Sequence, residues 1–172
     1  NSAVGIYNIL LRIVMPFSIM LVIVNNIFMR NFSIWHSNGE TKKCISMFSA
    51  LLKLSFIVGI LFFLLIYFFR FEILLFFGED YAAAVNALMV LSIGSFVMLA
   101  TGPSAGILMM TGHEASYKKI VIYTGLVNVF LSIVLVYKYG LIGAVFSTSL
   151  SLIFKNLLAF FNARKYIGVK LF

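Results

Sequence analysis

From Ser46 to Phe69 the chain carries one charged side chain, Lys53, in an otherwise almost continuous apolar run. A soluble fold has no surface on which to use such a segment. A helix needs about 20 residues to cross a hydrocarbon core. Lipid offers the backbone no hydrogen-bond partner, so a crossing segment must satisfy its amides within itself, as a helix does. The same pattern recurs along the chain, giving spans at residues 4–29, 46–69, 82–110, 120–137 and 141–161. A closed barrel is excluded, because Phe56–Phe69 does not alternate in polarity. The expected fold is all-α, a polytopic membrane bundle of five transmembrane helices.

Composition agrees. Hydrophobic residues make up 63% of the chain and charged residues 10%, with a mean hydropathy of +1.10. A soluble domain is about 45–50% apolar and about 25% charged. The net charge of +8 would suggest nucleic acid in a soluble protein. Here the basic residues cluster in short segments between apolar runs, so no nucleic-acid partner is expected. Cys44 is the sole cysteine, which excludes an internal disulfide and a cysteine-based metal cage; no cofactor is expected.

The loops also set an orientation. With the C-terminus in the cytoplasm, the inner segments hold Arg30, Lys42, Lys43, Lys118, Lys119, Arg164, Lys165 and Lys170. The outer ones hold Arg70 and Lys138, with Glu72, Glu79 and Asp80. This is the positive-inside pattern. The chain opens at Asn1 without an initiator methionine, and its first apolar run is too long for a signal peptide and carries Arg12. The expectation is therefore the C-terminal part of a larger membrane protein.

Three cations lie inside the apolar stretches, Arg12, Lys53 and Lys155, whereas all five acidic residues lie outside them. An intramembrane charge is expensive and normally faces a protein interior or a wet cavity. A cavity with cations and no carboxylate suits an anionic cargo. Arg12 lies eight residues into its span, roughly 12 Å, close to mid-bilayer. Lys53 and Lys155 lie about seven residues from the inner ends of theirs, near 10 Å, from where a lysine either lines a cavity or snorkels to the interface. Arginine suits bidentate phosphate recognition, and lysine acts as a point charge.

Polar residues recur at helical spacing around these cations. Asn8, Arg12, Met15, Ile19 and Asn26 share one face, as do Ser46, Ser49, Lys53, Phe56 and Tyr67. Thr124, Asn128 and Ser132 line the fourth span, and Gly143, Ser147, Ser151 and Lys155 the fifth. The serines and glycines fit close helix packing. Asn8, Asn26 and Asn128 fit either interhelical hydrogen bonding or a cavity lining. Pro16 removes the bond to the Arg12 carbonyl and should kink the first span. Gly102 and Pro103 interrupt the third, either as a tolerated kink or as a hinge. His36 and His113 read as solvated loop residues, and no nucleophile–base or metal-ligand constellation is present, so the chain reads as a carrier and not an enzyme.

Several segments resemble a known family. The opening Val4-Gly5-Ile6-Tyr7-Asn8 with Arg12 is one. Leu75-Phe76-Phe77-Gly78-Glu79-Asp80-Tyr81-Ala82-Ala83-Ala84 follows, then Thr101-Gly102-Pro103, Met110-Thr111-Gly112-His113-Glu114 and Tyr139-Gly140-Leu141-Ile142-Gly143-Ala144. In this order they are similar to the polysaccharide biosynthesis C-terminal domain of O-antigen and related flippases. These belong to the multidrug/oligosaccharidyl-lipid/polysaccharide exporter superfamily. The resemblance spans nearly the whole chain. It implies that residues 1–172 form most of the C-terminal lobe of a MATE-like transporter, whose N-terminal lobe is absent from this chain. It further implies a multi-pass protein of the bacterial inner membrane that moves an undecaprenyl-diphosphate-linked oligosaccharide between leaflets by alternating access, for O-antigen, capsule or other surface polysaccharide. The expected partners are that lipid-linked substrate, membrane lipids and the other lobe.

Two rivals differ in class. A cation-coupled drug exporter of the same superfamily usually needs an embedded carboxylate, and these spans contain none. A membrane-embedded glycan polymerase or ligase needs a large polar outer loop or a catalytic cluster, and the outer loops here are short. A passive anchor would have no use for three embedded cations.

Overall fold

A computed structural model describes residues 2–167, without the side chains of Ser2, Ile27, Phe28, Met29, Arg30, Ser33, Asp80 and Ile167. Every element among the described residues is helical. Helix α1 covers Ser2–Ser37, α2 Thr41–Phe68, α3 Arg70–Phe77, α4 Val85–Thr101, α5 Pro103–Met110 and α6 Glu114–Ile167, with a 3-10 turn at Glu79–Ala84. Four helical segments, Ala3–Asn26, Thr41–Phe68, Tyr81–Thr101 and Glu114–Tyr166, are long and apolar enough to cross a membrane.

The last of these is two helices joined at a sharp corner. Gly140 has φ 56° and ψ −128°, a conformation that side chains other than glycine's rarely adopt. It divides α6 into arms α6a (114–139) and α6b (141–167). The arms double back on one another: the Ser132 and Ser147 hydroxyls lie 2.9 Å apart. At 1.5 Å per residue those positions would be about 22 Å apart on a continuous helix.

Helix α4 sits at the centre, packed by α1, α2 and α6b. Its small residues permit this. A Cβ on Gly94 would lie 2.9 Å from the Ser149 Cα, so the α4 and α6b backbones nearly touch there. Two buried clusters mark the two ends. Leu10, Val14, Phe17, Ile66, Leu74, Leu88, Leu91 and Val145 gather at one. Val24, Phe32, Phe48, Leu51, Ile107, Leu108, Ala159 and Ala163 gather at the other. Helix α1 and arm α6b therefore run parallel. Lys42, Lys43, Lys118, Lys119, Arg164 and Lys165 all fall at the second, basic end. Lys170 lies outside the described residues.

Some spans differ from expectation. The third is three pieces, the 3-10 turn, α4 and α5. The second stops at Phe68, and α3 follows as a separate short helix. Helix α1 continues unbroken through Pro16 to Ser37. Glycine at 102 has a packing reason: a Cβ there would collide with the Leu21 side chain of α1 and the Met98 carbonyl. Pro103 opens α5 at a position where no amide is needed.

Candidate functional site

The two arms of α6 line an open cavity of about 400 Å³. Arm α6a contributes Val121, Thr124, Gly125 and Asn128; arm α6b contributes Thr148, Ser151, Leu152 and Lys155. The spacing of four and three residues on each arm stacks these positions on one helix face. Thr124, Asn128, Ser151 and Lys155 come from the two polar stripes; Thr148 lies outside them.

Hydrogen bonding fixes the cavity walls and leaves some groups free. The Asn128 Oδ1 accepts from the Ser132 hydroxyl at 3.1 Å, and its Nδ2 donates to the Ser147 carbonyl at 3.5 Å. Asn128 thus ties the two arms together while bordering the cavity. The Thr148 hydroxyl donates to the Ala144 carbonyl, so in its 2.8 Å contact with Tyr7 the phenol is the donor. The Ser151 hydroxyl is buried with no partner among the described residues. Lys155 is half-buried, and no acidic residue lines the cavity with it.

Lys53 occupies a different place. It borders a second, larger groove of about 530 Å³ between α2, α4 and α6b. Ser49, Lys53 and Phe56, which the sequence places on one stripe, all line it. Leu157 and Phe160 of α6b form its far wall. At about 100° per residue, Phe160 lies about 140° round α6b from Lys155. The two lysines therefore open on different sides of the same arm.

Arg12 is exposed on α1, on the face that also carries Asn8, Met15, Ile19 and Asn26. The Tyr7–Thr148 contact sets the level of α1 against α6b. Arg12 is five residues below Tyr7 and Lys155 seven below Thr148, about 7 Å and 10 Å along parallel helices. The two cations thus share a depth within about 3 Å, but Arg12 lies about 140° round α1 from Tyr7. The structure does not bring the three cations into one pocket. Only Lys155 and Asn128 of the expected site residues share a cavity; Asn8, Arg12 and Asn26 share an uncovered face of α1.

Other residues are now accounted for. Gly143 and Ser147 serve close packing: a Cβ on Gly143 would overlap the Leu135 carbonyl. His113 is not simply solvated. Its ring stacks on Tyr166 at 3.7 Å between centroids, and its Nδ1 lies 3.0 Å from the Thr111 hydroxyl. The Tyr7–Thr148 link was not legible beforehand, because it joins positions far apart in the chain and no periodicity reports that. Among the described residues, no three His, Cys, Asp or Glu side chains gather where they could hold a metal ion.

Comparisons with protein-family models, curated proteins and solved structures return no match. What stands is a helical protein with four segments apolar enough to span a membrane.

Proposed function

We propose that this chain is the C-terminal lobe of a flippase that moves an undecaprenyl-diphosphate-linked oligosaccharide across the bacterial inner membrane. In this reading the two arms of α6 each cross, giving five crossings, with the basic end and the C-terminus in the cytoplasm. The observation that carries it is the cavity of α6. It combines one unpaired ammonium, Lys155, with the hydroxyls of Thr124, Thr148 and Ser151 and the amide of Asn128, and has no carboxylate. Such a lining matches an anionic headgroup bearing hydroxyl-rich sugars, since charge-assisted bonds hold phosphate and neutral donors and acceptors hold sugar.

Arg12 takes the diphosphate or an acidic sugar from the α1 face, at the depth of Lys155, with Asn8 and Asn26 on sugar hydroxyls. A second helical lobe covers that face, and the cavity opens to alternate sides as the lobes rock. The break at Gly102–Pro103 and the missing amide of Pro16 are the hinge candidates. Lys53 contributes charge at the periphery. No bond is made or broken.

The test is reconstitution of the complete protein in vesicles with a lipid-linked oligosaccharide and, separately, a cationic dye. Movement of the glycan lipid to the far leaflet, with the dye retained, is expected. Transport of the dye alone would overturn the proposal in favour of a drug exporter. In cells, Arg12→Ala should lower surface glycan at normal protein level.

A further inference from the structure

The groove beside Lys53 has an almost wholly apolar surface, with Lys53 itself exposed on α2. Towards the basic end it presents Ser49 and Lys53 on α2 and Thr101 on α4. Towards the middle of the bundle it presents Phe56, Phe96 and Leu157, with no polar atom among them. The Phe96 ring packs edge-on to Phe56 at 5.6 Å, giving a smooth apolar floor. A Cβ on Gly59 would lie 3.1 Å from Phe96, so α2 closes tightly on this floor just beyond Phe56. The Lys53 ammonium has no ion-pair partner among the described residues, where the one salt bridge joins Lys43 to Glu40.

A single cation at the mouth of an apolar channel in a membrane-spanning bundle has the shape and charge of a lipid site. We propose that this groove holds one anionic glycerophospholipid from the leaflet at the basic end. Its phosphate pairs with Lys53 and accepts from the Ser49 hydroxyl, and one acyl chain lies between α2 and α6b over Phe56, Phe96 and Leu157. Charge complementarity selects the occupant. Basic pockets between membrane helices on the side where basic loops gather attract anionic headgroups, and a zwitterionic lipid brings a cation that Lys53 repels. Thr101 does not donate to the phosphate, because its proton is already given to the Val97 carbonyl at 2.7 Å. The site lies on the side of α6b away from Lys155, so it does not depend on the cargo proposed above.

The experiment uses the complete protein in vesicles of phosphatidylcholine containing a phosphatidylglycerol with a photoactivatable group in one acyl chain. After irradiation, labelled positions are mapped by peptide mass spectrometry. Label is expected at residues 52–57, 96–101 and 157–160, displaced by unlabelled phosphatidylglycerol but not by added phosphatidylcholine. Lys53→Gln should lower it roughly fivefold, Lys53→Arg should retain it, and Lys155→Gln should leave it unchanged. Equal labelling by a phosphatidylcholine probe, no label at these positions, or insensitivity to Lys53→Gln would overturn the proposal. The wild-type competition decides the matter even if a variant is poorly made. Glycan transport is not read, so failure here is distinct from failure of the flippase reading.

Discussion

The phenol of Tyr7 donates a 2.8 Å hydrogen bond to the hydroxyl of Thr148, tying the first helix to the last arm across nearly the whole chain. This bond seats α1 beside the cavity of α6 and sets Arg12 level with Lys155. Removing it with Tyr7→Phe should cost about 0.5–1.5 kcal/mol, the range for interhelical bonds in membranes. Thr148→Val should cost a similar amount, and the double variant little more than either. Unfolding of the purified complete protein in mild detergent would measure all three. Additive losses would mean the two groups do not act as a pair.

Gly94 and Ser149 mark the closest approach of α4 to α6b. Because a Cβ on Gly94 would meet the Ser149 backbone and not a movable side-chain tip, the helices themselves must part to admit one. Gly94→Ala should destabilise by about 1–3 kcal/mol, and Gly94→Leu should abolish accumulation of the folded protein. Expression and thermal stability of the two variants check this. Wild-type stability in Gly94→Leu would contradict the packing.

Gly140 holds the corner between the arms at φ 56° and ψ −128°. Gly140→Ala forces a side chain into a region that costs of order 1–3 kcal/mol. A lower midpoint of unfolding is expected. A cysteine pair at Ser132 and Ser147, close enough to approach disulfide geometry, should still cross-link in wild-type background and less efficiently with Gly140→Ala. Cross-linking is read as a mobility shift on gels, with Cys44 replaced by serine.

Lys155 is the half-buried cation that lines the cavity between the arms of α6. Lys155→Gln removes the charge while keeping a polar side chain one atom shorter. If it binds the anionic headgroup, transport should fall roughly ten- to a hundredfold, the equivalent of one charged hydrogen bond, and Lys155→Arg should restore part of it. Lys53→Gln should reduce transport less. Equal effects of the two glutamine variants would argue against separate sites.

Much of this architecture was readable in the residues, for identifiable reasons. The corner at Gly140 falls where Tyr137, Lys138 and Tyr139 interrupt the apolar run, so polarity and glycine agree. The interruption at Gly102–Pro103 was equally visible. The end of α2 was visible as well, since the second apolar span stops at Phe69 before Arg70; the short helix α3 beyond it was not, because Phe71 to Phe77 shows no signal separating a helix from a loop. That arginine is held locally, donating to the Tyr67 carbonyl at 2.6 Å and lying over the Tyr67 ring. For the site, periodicity placed Ser151 and Lys155 on one face, and Ser49 and Lys53 on another. It could not say that those faces open on opposite sides of α6b, since spacing fixes a direction on its own helix and not the neighbour met there.

The doubled-back arms also bear on how the protein is made. The Asn128 Nδ2 finds its acceptor, the Ser147 carbonyl, only across the corner, so α6a alone would carry an unpaired amide donor into hydrocarbon. The two arms are thus expected to leave the insertion machinery together, as a preassembled couple, with Lys155 sheltered from acyl chains by its opposite arm.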